Sequence, residues 1–79
     1  MTTARVEILV EPFRENDPGP HVTAAVDALE AAGLTTDMGP FATTATGELD
    51  QVLGAVTALL RESFEAGADA IQVRVERTD

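Results

Sequence analysis

The chain has 79 residues and a net charge of −9, five arginines against fourteen acids, with no cysteine. The missing cysteines exclude disulfide or thiolate-metal reinforcement, and the scattered arginines give none of the basic stripe that nucleic-acid phosphates require. One domain over residues 1–79 is expected, with a core that supplies only about 3–5 kcal/mol, so association with copies of itself is the expected supplement.

No apolar run approaches the roughly 20 residues that span a bilayer, and Met1 opens no apolar signal core. The expectation is a cytoplasmic protein with no membrane partner, and the lack of cysteine fits a reducing compartment.

In chain order, "RVEILVEPF" alternates Val6, Ile8 and Val10 with Arg5, Glu7, Leu9 and Glu11. That period of two predicts a half-buried strand, stopped by Pro12. "RENDPGP" is a turn-rich loop, with Asn16 and Asp17 as ordinary turn formers. From His21 the period changes, and Val22, Ala25, Val26 and Leu29 mark an amphipathic helix that Gly33 ends. "LTTDM" is a short second strand. Gly39-Pro40 marks a turn, and "FATTAT" is the third strand, hairpinned to the second.

Thr46 then caps a second helix, with Glu48 and Asp50 at the positive end of its dipole. Leu49, Val52, Leu53, Val56, Leu59, Leu60 and Phe64 form its apolar face, and Gly67 ends it. "AIQVRVE" alternates Ile71, Val73 and Val75 inward with Gln72, Arg74 and Glu76 outward. The order β-α-β-β-α-β predicts an α+β ferredoxin-like sandwich, a four-stranded antiparallel sheet with two helices on one face. First and last strands are then neighbours, so Arg5, Glu7, Leu9, Gln72, Arg74 and Glu76 share the open face. A Glu7–Arg74 cross-strand pair would contribute roughly 0.2–1 kcal/mol.

Four segments, "VEILVEPF", "GPHVTAAVDALEAAGL", "MGPFATTATGELDQVL" and "AGADAIQVRVE", resemble the YkoF-like thiamine-binding family over nearly the whole chain. The most specific part is Thr43 followed by Gly47, Glu48, Leu49 and Asp50, similar to a family pattern of threonine, a short spacer, then glutamate-glycine-acid. Thr46 replaces the family's glutamate before the glycine. The resemblance implies a non-catalytic binding protein for thiamine or its hydroxymethylpyrimidine half, with a pocket on the open sheet face at a subunit contact. Carried onto this sequence, it places Thr43, Glu48, Glu11 and Thr46 in the ligand-binding set; Glu11 enters on its strand-end position alone. Threonine hydroxyls donate and accept toward ring nitrogens, and carboxylates accept from an exocyclic amine and favour a cationic thiazolium. Thiamine is then a bound ligand and not a catalytic cofactor, and a homodimer or homotetramer through the sheet is expected.

Strand propensity alone accounts for Thr43, Thr44 and Thr46 without a ligand. His21 stands alone, whereas a zinc site needs three or four ligands, so no metal is expected. No Cys/His pair, no serine beside a base and no phosphate-cradling glycine loop occurs, which argues against an enzyme. Acylphosphatase shares this topology, yet its arginine-bearing glycine loop is missing here. A ligand-free oligomeric assembly or regulatory module remains the alternative.

Overall fold

The computed structural model describes residues 1–13, 19–39 and 42–79. The turn read at Arg14 to Pro18, and the Pro40–Phe41 step, lie outside the described residues. The elements are β1 (Thr3–Glu11), α1 (Pro20–Ala31), β2 (Thr35–Met38), β3 (Thr43–Glu48), α2 (Leu49–Glu65) and β4 (Ala70–Arg77). They form a four-stranded antiparallel sheet of order β2-β3-β1-β4 with the helices over one face, the ferredoxin-like arrangement.

β1 sits inside the sheet because its alternation supplies one wholly apolar side. Ala4, Val6, Ile8 and Val10 are buried beneath the helices, while Arg5, Glu7, Leu9 and Glu11 face away. From above, Val22, Ala25, Ala28 and Leu29 of α1 and Val52, Ala55 and Leu59 of α2 complete the core. Removing this apolar surface from water is the main favourable term in folding.

Both helices end as their glycines require. Gly33 and Gly67 take positive φ, +82° and +110°, which a side chain would resist. At the first, the Gly33 N–H donates to Glu30 O and the Leu34 N–H to Leu29 O; at the second, Gly67 donates to Phe64 O and Ala68 to Ser63 O. These are two Schellman closures, each carrying a buried apolar residue just past the glycine, Leu34 and Ala68.

The start of α2 differs from the sequence reading. β3 continues through Thr46 to Glu48, because β1 offers partners as far as Thr3 opposite Glu48. Glu48, not Thr46, is the N-cap residue, and the Gln51 side chain accepts its backbone N–H at 3.3 Å. Gly47 within this extension has no side chain, and a methyl there would overlap Leu34.

A second difference lies at the β4 margin. Val73 and Val75 do face the helix side, opposite Ile8 and Val6, yet they remain 36% and 38% exposed. Leu53 and Phe64 of α2 are 48% and 49% exposed. β4 is an edge strand, and α2 covers it incompletely.

Candidate functional site on the open sheet face

The face turned away from the helices is built in rows fixed by strand register. One row crosses all four strands: Asp37 opposite Thr44, Thr44 opposite Glu7, Glu7 opposite Arg74. The adjacent row is Thr35, Thr46, Arg5 and Glu76 in the same sense. Leu9 opposite Gln72 begins the next one.

The charges on this face are organised by Glu76. Its carboxylate takes Arg74 Nη1 at 3.0 Å and Arg5 Nη1 at 3.1 Å, while Arg5 Nη2 lies 3.7 Å from Glu7 Oε2. The hydrogen bond from Arg74, then that from Arg5, holds the Glu76 carboxyl below its ordinary range. The expected Glu7–Arg74 ion pair does not form although the two are directly opposite: Arg74 turns along its own strand to Glu76. Glu7 is thereby left with one long contact, and Asp37 has no ion-pair partner among the described residues. Surface pairs of this kind contribute little to stability. Their effect here is to hold two guanidinium groups to one side and leave the Glu7 carboxylate available.

Beside that network lies a concavity of ≈ 280 Å³, lined by Glu7, Leu9, Ala42, Gln72 and Arg74 with the Ile8 and Val73 segments between them. That is just below the usual range of ligand sites, roughly 300–1,000 Å³. Its lining combines a leucine and an alanine with a carboxylate, an amide and a guanidinium. The amide both donates and accepts, whereas the carboxylate only accepts. Such a set suits a flat heterocycle with ring nitrogens and an exocyclic amine.

The four residues singled out from sequence do not converge. Thr43 stands opposite Ile8, on the helix side, and is 6% exposed, so its hydroxyl does not reach the open face. Thr46 does face outward, opposite Arg5. Glu11 lies six residues along β1 from Arg5, about 20 Å at strand rise. Glu48 sits at the opposite end of the sheet from Glu11, opposite Thr3, as the N-cap of α2. The hydroxyl in the row of Glu7 is that of Thr44. Glu7, Gln72 and Arg74 were legible as outward residues, and the register of β1 with β4 is what gathers them.

Among the described residues no group of three or more His, Cys, Asp or Glu is placed to hold a metal, and no helix is long and apolar enough to cross a membrane. His21 Nε2–H donates to the Pro12 carbonyl at 2.5 Å, which ties the exit of β1 to the start of α1.

A family model described as "Thiamine-binding protein" matches residues 6–78. A domain of unknown function (DUF77) from Bacillus cereus superposes with a TM-score of 0.70 at 22% identity, covering 98% of this chain and 75% of that one. A proposed thiamine biosynthesis/salvage protein from Thermotoga maritima gives a TM-score of 0.70 at 22% identity, covering 98% and 83%. A hypothetical protein from Methanocaldococcus jannaschii gives 0.68 at 17% identity, covering 99% and 78%. At these identities the structures are alike in fold. No curated protein matches the sequence.

Proposed function

Because this chain belongs to the thiamine-binding protein family, we propose that it binds thiamine, or the hydroxymethylpyrimidine half of it, without turning it over. The ligand lies in the open-face concavity between β1 and β4, closed by a neighbouring copy. The observation that carries this reading is the concavity itself: a ring-sized hollow on the helix-free face, lined by Glu7, Gln72, Leu9 and Ala42 among others. The aminopyrimidine lies flat over Leu9 and Ala42 and gives its amine protons to Glu7. Gln72 meets a ring nitrogen, and Thr44, next to Glu7 in its row, supplies a hydroxyl. Thr46 stands one row further out, and the Glu7 charge favours the cationic thiazolium over a neutral analogue.

Calorimetric titration with thiamine and with hydroxymethylpyrimidine tests this. Saturable heat is expected for both, and Glu7→Gln should weaken binding by about 1.5–3 kcal/mol, the usual range for a hydrogen bond to a charged group. No heat at millimolar ligand, or unchanged affinity in Glu7→Gln, would overturn the reading. The half-exposed apolar β4 margin favours a second reading, an assembly module without a ligand, which predicts association together with silent calorimetry.

A further inference from the structure

We propose that Glu76 determines which form of the ligand the open-face concavity accepts: by holding Arg74 and Arg5 it denies the site a free cation, so the free alcohol is bound in preference to its phosphate esters. This rests on the thiamine reading above and narrows it.

Thiamine and hydroxymethylpyrimidine each end in a primary alcohol that can carry a phosphate. A phosphate monoester brings about −1.5 to −2 charges near neutrality, with three acceptor oxygens. A site that retains such an ester offers it a guanidinium, whose planar fork meets phosphate oxygens in pairs. Among the described residues, Arg74 is the one cation that lines the concavity. Whether it is free decides which form of the ligand can stay.

It is not free. Arg5, Glu7, Arg74 and Glu76 make a two-by-two block on the open face, with Glu7 opposite Arg74 and Arg5 opposite Glu76. Each oxygen of the Glu76 carboxylate takes a different guanidinium. Oε2 lies 3.0 Å from Arg74 Nη1, and Oε1 lies 3.1 Å from Arg5 Nη1. Arg5 also reaches Glu7 through Nη2, at 3.7 Å. Two cations and two anions thus close on one another without net charge. Glu76 stands one row beyond the lining residues and acts on the site through Arg74. Its carboxyl is held below the ordinary range, by the Arg74 hydrogen bond first and then that of Arg5. It is therefore ionised wherever a phosphate ester is a dianion.

An incoming phosphate would have to draw Arg74 off Glu76 and then sit beside the carboxylates of both Glu7 and Glu76. A neutral alcohol meets neither cost. Discrimination of this kind comes from repulsion built against the competitor, not from a new contact to the preferred ligand. The rest of the face works in the same sense: Asp37, in the row of Glu7, and Glu11, further along β1, add anions. Neutralising Glu76 reverses the balance, because the block then holds two guanidinium groups against Glu7 alone.

Glu76→Gln removes the charge and keeps an acceptor oxygen of the same reach. Calorimetry slightly above neutrality compares thiamine with thiamine monophosphate in the wild type, in Glu76→Gln, and in Glu76→Gln combined with Arg74→Gln. The wild type should favour thiamine. Glu76→Gln should cut that preference about fivefold, the most that an exposed ion pair ordinarily shifts an equilibrium. Adding Arg74→Gln should restore it. A merely structural Glu76 would lower Tm on substitution and leave the ratio of the two affinities where it was. A wild type that takes the monophosphate as tightly as thiamine, an unaltered ratio in Glu76→Gln, or a gain that persists without Arg74 would overturn the inference. Saturable thiamine heat with an unaltered ratio overturns it alone, whereas silent calorimetry with both compounds overturns the ligand reading as well.

Discussion

Ser63 lies in the last turn of α2, fully buried, and its hydroxyl has no hydrogen-bond partner among the described residues. It continues the buried stripe of Val52, Ala55 and Leu59, where an apolar residue would ordinarily stand. A buried hydroxyl left unpaired costs about 1–3 kcal/mol in lost hydration. Ser63→Ala removes that cost and adds a helix-propensity gain of up to ~0.7 kcal/mol. Against this stands the void left by one oxygen atom, a small loss beside the gain. The net expectation is a stabilisation of about 1–2 kcal/mol. In a domain of this size each kcal/mol raises Tm by about 4–8 °C. Thermal unfolding followed by circular dichroism reads it directly, with both proteins at one concentration. A Tm equal to or below the wild-type value would mean that the hydroxyl is already satisfied, for instance by the Leu59 carbonyl one turn back, and would refute the reasoning.

Glu76 gives a pH prediction whose sign follows from its lowered carboxyl pKa. A group depressed in the folded state adds stability above its unfolded pKa and loses it as pH falls through the folded value. Glu76→Gln should therefore lower Tm near neutrality, with the gap to wild type closing in acid below the ordinary carboxylate range. A gap that does not change with pH would show that the Arg74 and Arg5 contacts do not perturb this carboxyl. Gly67→Ala places a Cβ on a backbone at φ +110° and should cost about 1–2 kcal/mol, the penalty for a side chain in left-handed backbone. Urea midpoints measure it, and an unchanged midpoint would contradict the assigned closure of α2.

The element order, both glycine stops and the β2–β3 hairpin could be read from the chain because each has a local cause. Val6, Ile8 and Val10 repeat every second residue, Val22, Ala25 and Leu29 every third or fourth, and Gly33 and Gly67 stand where a helix must turn out. The faces of β3 had no such cause. Its two sides are Thr43, Ala45 and Gly47 against Thr44 and Thr46, small and half-polar on both. No apolar pattern within the strand separates them, and only pairing with Val6 and Ile8 does so. Hence Thr43 went under the helices while Thr44 took the open side. The end of β3 was equally a matter of partners, since Thr3 draws Glu48 into the ladder and moves the cap of α2 two residues beyond Thr46.

The exposure of the β4 margin has a related cause. Period alone marks Leu53, Phe64, Val73 and Val75 as positions that avoid water, but it does not say whose surface covers them. In the single chain they stay half exposed, while Glu7, Gln72 and Arg74 gather on the other side of the same two strands. One strand, β4, thus presents valines on one side and pocket residues on the other, and among the described residues only β1 pairs with it.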